Sequence, residues 1–191
     1  HDAENTFPFD DLEDLKAAGY LSAYVPTEFG GGGLNLEEIA AEQTRLAKAA
    51  PGTALGINMH HIIVGLGSYL VRHGNPRGEL ILRGAVDGEL FGFGISEPGN
   101  DLVLFGSIST AEPDGKGGYS FTGTKIFNSL APAWTKLLTF GRDDSGDDTK
   151  SVFAILDRAA DGIEFKADWD TLGMRATQSQ TLFRKGAHAP E

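Results

Sequence analysis

The 191-residue sequence contains no cysteine, so neither a disulfide bond nor thiolate chemistry is available to it. It has no run of about 18 apolar residues, so we expect no membrane span. Basic residues are few: 16 lysines and arginines stand against 27 aspartates and glutamates, which gives a net charge of −11. This balance argues against nucleic acid or an anionic membrane as a partner. No signal peptide is visible, and we expect a cytoplasmic protein.

Several signatures of catalytic and metal sites are also missing. There is no G-x-S-x-G nucleophile elbow and no H-E-x-x-H metal motif. The glycines at 30–33 could form a phosphate loop, but no Lys-Ser/Thr pair follows them, which favours a flexible turn before a helix. His60 and His61 are adjacent on a predicted helix and point in different directions, so they cannot share a metal, and we expect His61 to face solvent or a partner. The acidic loop at 143–148 lacks the ligand spacing of a calcium loop, so we predict a solvated hairpin and no metal site.

Apolar residues make up 40% of the chain, which is enough for a packed core. The first part, to about residue 88, shows the apolar spacing of helices. Asp10 and Asn35 are the predicted N-caps of the first two helices, and Glu38 stands in the capping-box position after Asn35. A third helix is predicted from near Thr53, with Gly65 and Gly67 as points where it could bend or split.

From residue 89 onward the spacing changes to short β-rich runs separated by turn residues. The predicted strands are 90–96, 106–110, 119–129, 137–141, 151–156, 163–166 and 180–183. This pattern is typical of an antiparallel sandwich or barrel of about seven strands. We therefore predict an α+β protein with an N-terminal helical domain at 1–88 and an antiparallel β-sandwich or barrel domain at 89–191.

Two stretches favour a binding site over plain packing. In "FGISEPG" (93–99) a strand ends in a hydroxyl and a carboxylate at a tight turn. In "GYSFTGTKIFNSLAPAW" (118–134), Phe127 and Ser129 continue one face of a strand. An aromatic ring beside a small hydroxyl at a strand end suits a flat ligand ring with polar edges. Either stretch taken alone would also be typical of core and turn.

Five segments carry a resemblance that extends along nearly the whole chain. In order, they are "LKAAGYLSAYVPTEFGGGGLNLEEIAAEQTRLA", "FGISEPG", "GYSFTGTKIFNS", "LGMRATQSQT" and the terminal "APE". Together, and in this order, they resemble the acyl-CoA dehydrogenase family. The resemblance implies the first two domains of that fold, an N-terminal helical domain followed by a middle β-domain.

The resemblance also implies a cofactor, FAD, bound against the β-domain. The implied cofactor contacts come from two strand ends: Phe93, Ile95, Ser96, Phe127, Asn128 and Ser129. Phe127 would stack on the isoalloxazine ring, and Ser129 would supply a donor near its N5 side. A flavin needs an aromatic side chain to stack on and oriented hydrogen-bond donors. The cofactor contacts implied by the resemblance therefore agree with the flat-ring site predicted from the two stretches.

The implied substrate is an acyl-CoA or another acyl thioester. Leu66 and Tyr69, on the helix before the first strand, would line the acyl slot, although core packing explains them equally well. Asn100 would lie near the substrate. However, the turn at 97–101 is two residues shorter than the family's Glu-Pro-Gly-Ala-Gly-Ser-Asp and lacks its serine, which leaves open a pocket that rejects a straight-chain acyl-CoA.

The family continues into a C-terminal four-helix bundle, whereas this sequence ends at Glu191. That bundle supplies oligomer contacts, part of the FAD site and the catalytic glutamate, so we assign no catalytic residue here. We expect the 191 residues alone to be inactive, to hold FAD weakly and to expose apolar helix surface.

For the full-length protein, the resemblance implies α,β-dehydrogenation in fatty acid metabolism, with flavin N5 as hydride acceptor. An electron-transfer partner or oxygen would be the final acceptor, and the enzyme would be a homo-oligomer, a dimer or tetramer. Two alternatives remain: a flavin-dependent monooxygenase of the same fold, and a non-catalytic fragment without cofactor.

Overall fold

The computed structural model describes the backbone of residues 1–191 and every side chain except that of Val103. The chain folds into two compact units. The first comprises His1–Phe91 and Asp170–Gln178, and the second comprises Gly92–Trp169 and Ser179–Glu191. The domain division at residues 88 and 89 stays a prediction, and residues 170–178, which the sequence analysis assigned to the β-domain, lie with the helices.

The first unit contains the α-helices α1 (Phe9–Ala17), α2 (Leu36–Ala49), α3 (Pro51–Arg72) and α4 (Arg77–Val86). Helix α2 begins as predicted. Asn35 Oδ1 accepts from Glu38 N at 3.0 Å, and Glu38 Oε2 accepts from Asn35 N at 2.8 Å. Helix α1 begins before its predicted cap: Asp10 lies inside the first turn, where its carboxylate is stabilised by the positive end of the helix dipole.

Helix α3 runs unbroken through the two glycines that could have bent it. A Cβ atom on Gly65 would lie 2.9 Å from Cε1 of Tyr24, and one on Gly67 would lie 3.0 Å from Cβ of Ile81 in α4. Such contacts are shorter than ordinary van der Waals distances. The two glycines therefore serve close packing against neighbouring elements and do not interrupt the helix.

Helix α3 is also long and apolar enough to cross a membrane by length and composition alone. About half of its apolar stretch is buried inside the structure, as is typical of a core helix. Its inner side is formed by residues such as Ile57, Ile63 and Val64, which are almost completely buried. We therefore interpret α3 as the central helix of the first unit.

Two adjacent histidines on α3 are buried. His60 is fully enclosed, with Nε2 2.8 Å from Leu21 O, while its Nδ1 accepts from Phe91 N at 3.1 Å. His61 was expected to face solvent or a partner, and that prediction is wrong. Its ring is 3% exposed because Tyr20 covers it edge-on, with the ring centroids 4.9 Å apart. Burial lowers the pKa of His60 to about 4 and that of His61 to about 3.

These two histidines make the stability of the first unit sensitive to acid. Their folded-state pKa values lie below the unfolded value of 6.5, so the stabilisation is present above that pH and is lost as the pH falls through the folded pKa. Between about pH 7 and pH 5 we expect a loss of about 2 kcal/mol for each buried histidine. Urea unfolding should show that His61→Phe removes about half of this pH dependence. The surface variant His73→Gln should leave it unchanged, and an equal effect of both variants would contradict the assignment.

The β-strands are β1 (Phe91–Gly94), β2 (Thr110–Pro113), β3 (Tyr119–Asn128), β4 (Lys136–Asp143), β5 (Lys150–Asp157), β6 (Ile163–Lys166) and β7 (Gln180–Ala189). They form one sheet in the order β1-β4-β2-β3-β7-β6, with β5 on β4. Strand β5 also contacts β7, so the sheet is curled. The predicted α+β class is confirmed. The sheet is mixed, because β2 and β4 pair in parallel while the other described registers are antiparallel.

Candidate functional site

The two stretches singled out in the sequence lie side by side in the second unit. Ile126 N, near the end of β3, donates to Ser96 O at 2.9 Å. Two residues earlier, Gly94 lies so close to β3 that a Cβ atom on it would be 2.8 Å from Oδ1 of Asn128. Glycine is therefore required at 94 for the end of β1 to approach the end of β3.

Phe127 is presented outward by a strained backbone. Its φ is +57°, a conformation that costs a bulky residue about 1–3 kcal/mol, and Leu130 has a similar φ of +64°. The tight turn is closed by Ser129 N, which donates to Phe127 O at 2.9 Å. The Phe127 ring is 59% exposed. A strained backbone that holds an aromatic ring in solvent adds little buried apolar area to the fold. This combination therefore points to a ligand-binding surface.

The residues after Phe127 are held by the start of β7. The hydroxyls of Ser129 and Ser179 are 2.8 Å apart, and Asn128 Nδ2 donates to Gln180 O at 3.4 Å. Asn128 is fully buried and its side chain supports the turn, while its predicted contact with a cofactor stays a prediction. Ser129 is also buried, at 7% exposure.

Trp169 is a second aromatic residue at this turn. Its ring lies edge-on to Phe127, with centroids 6.1 Å apart and planes at 85°. Its amide and that of Asp168 donate to Oε1 of Gln180 at 2.9 and 2.8 Å. Trp169, Ser179 and Gln180 were not predicted as site residues. The segment "LGMRATQSQT" was quoted for the resemblance, but nothing in the sequence indicated that its end reaches the turn after β3.

Glu97, directly after Ser96, points inward and is 5% exposed. One oxygen, Oε1, accepts from Ser107 Oγ (2.6 Å), Ser109 Oγ (2.5 Å), Ser109 N (3.1 Å) and Lys125 Nζ (2.7 Å). The other, Oε2, accepts from Asn100 Nδ2 (2.6 Å) and Ile108 N (2.8 Å). Burial by itself raises the pKa of Glu97, but the bonds from Lys125, the two serines and Ile108 outweigh it and hold that pKa well below its usual range. The carboxylate is thus a permanent anion.

This anion explains why one strand prediction was wrong. A strand was expected at 106–110, but β2 begins only at Thr110. The amides of Ile108 and Ser109 are bound to Glu97 and are not available to a strand ladder. Sequence pattern could not reveal this competition, because the carboxylate comes from ten or more residues away.

Asn100 was predicted to lie near the substrate, but its side chain is hydrogen-bonded within the Glu97 network. Its Nδ2 donates to Glu97 and to Gly106 O (2.9 Å), and its Oδ1 accepts from Leu102 N at 3.0 Å. All of its side-chain polar atoms have internal partners. Asn100 therefore fixes the shape of the turn, and its proposed contact with a substrate gains no support from this geometry.

The two predicted acyl-slot residues lie on α3 of the first unit. Leu66 is half-buried, and Tyr69 is 58% exposed with its ring stacked on His73 at 4.0 Å. Their role in binding a substrate stays a prediction, as do the cofactor contacts of the half-buried Phe93 and Ser96 and the buried Ile95.

The arrangement at the end of β3 can hold a flat ring but offers little for acid–base chemistry. The exposed Phe127 lies on the same chain segment as Ser129, and the neighbouring segment, bound through Ile126 N, carries Ser96. Glu97 is committed to its six donors. Among the residues whose side chains are described, no group of three or more histidines and carboxylates could hold a metal ion. The geometry therefore fits a bound ring that brings its own chemistry.

The strain at Phe127 leads to a stability prediction. Glycine tolerates a positive φ, so Phe127→Gly should change the free energy of unfolding by no more than about 1 kcal/mol. The control Phe121→Ala removes a ring on the same strand that is completely buried, and should cost about 3–5 kcal/mol. Urea unfolding of both variants measures this. A large loss for Phe127→Gly would mean that its ring stabilises the fold.

Comparison with known proteins identifies relatives of both units. A family model described as the N-terminal domain of acyl-CoA dehydrogenase matches residues 1–79. L-evernosamine nitrososynthase from a Micromonospora species is 33% identical over 189 residues, which cover 92% of this chain and 42% of that protein. Dibenzothiophene monooxygenase from Rhodococcus qingshengii is 33% identical over 169 residues, which cover 87% of this chain and 40% of that protein.

Among solved structures, KijD3 in complex with FMN and dTDP-3-amino-2,3,6-trideoxy-4-keto-3-methyl-D-glucose has the same fold. It matches with a TM-score of 0.88 at 32% identity, and the match covers 100% of this chain and 47% of that chain. The sequence thus spans less than half the length of these relatives.

Proposed function

Because this chain belongs to the acyl-CoA dehydrogenase family, of whose fold it has the N-terminal helices and the β-sheet, we propose that it is the flavin-binding part of an oxidoreductase. The observation that carries the proposal is the Phe127 ring, exposed and strained at the end of β3. Phe127 would hold the flavin ring by stacking against it. When bound, the flavin supplies the redox chemistry.

The residues around Phe127 bind and orient such a ring. Ser96 has neither its hydroxyl nor its amide bonded within the described residues, so both are available to the heteroatoms at a ring edge. The Ser129 hydroxyl, which lies 2.8 Å from the Ser179 hydroxyl, is a second polar group on the neighbouring strand end. Trp169 lies edge-on to the Phe127 ring and borders one side of it.

The favoured reaction is an oxygen-dependent monooxygenation, the alternative to dehydrogenation in the sequence analysis. Support comes from the relatives named as a nitrososynthase and as a dibenzothiophene monooxygenase, each 33% identical. The shortened turn points the same way, because Asn100 is bound internally where the family carries a serine for the acyl-CoA or flavin phosphate. The substrate is a small molecule whose nitrogen or sulfur atom is oxidised.

Dehydrogenation of an acyl-CoA is the second candidate. Its support is the match of residues 1–79 to the family model that carries the acyl-CoA dehydrogenase name. In that case the exposed Tyr69 and the half-buried Leu66 on α3 line the acyl slot. Replacing Tyr69 with alanine in the full-length protein would then shift the preferred acyl length.

The cofactor is proposed to be FMN, whereas the family resemblance alone implied FAD. KijD3, at 32% identity, was solved with FMN. The missing serine of the shortened turn is one that often contacts a flavin phosphate in the family, so a cofactor with fewer phosphates suits this chain. Parallel titrations with FMN and FAD distinguish the two.

A pair of exposed phenylalanines tests the flavin surface. Phe127→Ala removes the stacking face and should weaken FMN binding roughly ten-fold, while far-UV circular dichroism stays unchanged. Phe153→Ala is the matched control, because Phe153 is 50% exposed in the same unit and stacks on Phe140. Flavin fluorescence titration measures both affinities. Equal affinities of the two variants would contradict the proposed surface.

The two reactions are separated by their products. The full-length protein is supplied with reduced FMN, isotope-labelled oxygen and either dibenzothiophene or a dTDP-amino sugar, and separately with a series of acyl-CoA thioesters and an electron acceptor. Mass spectrometry should detect labelled oxygen on the nitrogen or sulfur substrate and no enoyl thioester. Formation of an enoyl thioester would instead select dehydrogenation.

A further inference from the structure

Lys125 is completely buried, and its ammonium joins the Glu97 network to the neighbouring backbone. Its Nζ donates to Glu97 Oε1 at 2.7 Å and to Ile95 O at 3.2 Å. The next residue, Ile126, donates its amide to Ser96 O at 2.9 Å. Two successive residues of β3 therefore hold two successive carbonyl groups of the segment that leads into Glu97.

Ser96 lies between these fixed points. The carbonyl groups of Ile95 and Ser96 are bound, and the carboxylate that follows accepts six hydrogen bonds. The peptide between residues 95 and 96 thus has little freedom to turn. Its N–H and the Ser96 hydroxyl, both without partners in the described part of the chain, are left in a defined orientation.

Stability alone does not account for a buried lysine at this position. Removing two charges from water is expensive, and apolar packing often replaces a buried ion pair at no net cost. The Lys125 ammonium also lies 4.1 Å from the centroid of the Phe140 ring, an apolar setting. The desolvation cost of the Lys125–Glu97 pair is understandable if the pair is needed to fix the geometry of the 95–97 segment.

We propose that Lys125 is a positioning residue for the bound flavin: with Glu97, it orients the Ile95–Ser96 peptide so that the Ser96 N–H and hydroxyl meet the ring edge. The inference rests on the proposed flavin function and adds a residue that touches neither the flavin nor the substrate. Its effect is transmitted through the carbonyl oxygen of Ile95.

The charged groups that act on Lys125 are Glu97 and Arg184. Burial and the positive charge of Arg184 lower the pKa of Lys125 to about 8, and Glu97 opposes this shift. Arg184, 1% exposed on β7, donates to Thr139 Oγ1 at 2.9 Å and to Phe140 O at 3.0 Å, and makes no bond to the 95–97 segment. As the pH rises through about 8, Lys125 loses its proton and its hold on Ile95 weakens.

The test is the pH profile of flavin affinity, measured on the full chain by fluorescence titration with FMN from about pH 6.5 to pH 9.5. Wild-type affinity should fall roughly ten-fold across a step near the pKa of Lys125, as expected for weakening one donor contact. Lys125→Met should bind FMN roughly ten-fold more weakly already at neutral pH and should lack this step. Any pH dependence of FMN itself remains in the Lys125→Met profile and is subtracted.

Arg184→Met is the second variant, because it keeps Lys125 and removes the cation that lowers its pKa. It should bind FMN like wild type at neutral pH, with the step moved to higher pH. A step that stays in place in Arg184→Met, or wild-type affinity and profile in Lys125→Met, would overturn the positioning role. Loss of FMN binding by the wild type at every pH would instead reject the proposed flavin function.

Discussion

The carboxylate of Glu97 is the constraint on which the rest of the candidate site depends. A buried anion is tolerated only when it is fully hydrogen-bonded, and here six donors from three stretches of chain meet that requirement. Because Ile108 N and Ser109 N bind this carboxylate, β2 begins only at Thr110. The same carboxylate binds the side chains of Asn100 and of the buried Lys125. Because Ser96 directly precedes Glu97, anchoring the inward carboxylate also fixes the outward face of the same turn.

Around this anchor the site combines close approach with local strain. Gly94 allows β1 to come against Asn128, and Phe127 adopts a left-handed backbone so that its ring leaves the packed side of the sheet. Thr139 in β4 also holds this region, since its hydroxyl donates to Gly94 O at 2.8 Å. An unfavourable conformation persists where its surroundings over-determine it, and the cross-links from β4 and β7 provide that support.

The features that indicate the family of this protein differ from those that bear on its reaction. The family rests on segments in a fixed order and on a shared fold, which many different reactions can use. The proposed choice of oxygenation over dehydrogenation rests on the named relatives and on the turn at 97–101, where Asn100 is bound internally. The sheet and its exposed aromatic ring suit either reaction, because both need an oriented flat cofactor.

The sequence by itself determined the α+β class, the capping box that starts α2, six of the seven strands and the two segments that meet at the site, because all of these follow from local periodicity and short motifs. Only the tertiary structure decided that His61 is covered by Tyr20, that residues 107–109 bind a carboxylate and do not join a strand, and that Trp169 and Ser179 reach the turn after β3. The reason is physical: a buried group is satisfied by whichever partner the fold brings near, and these partners lie 10 to 50 residues away, where sequence spacing carries no signal.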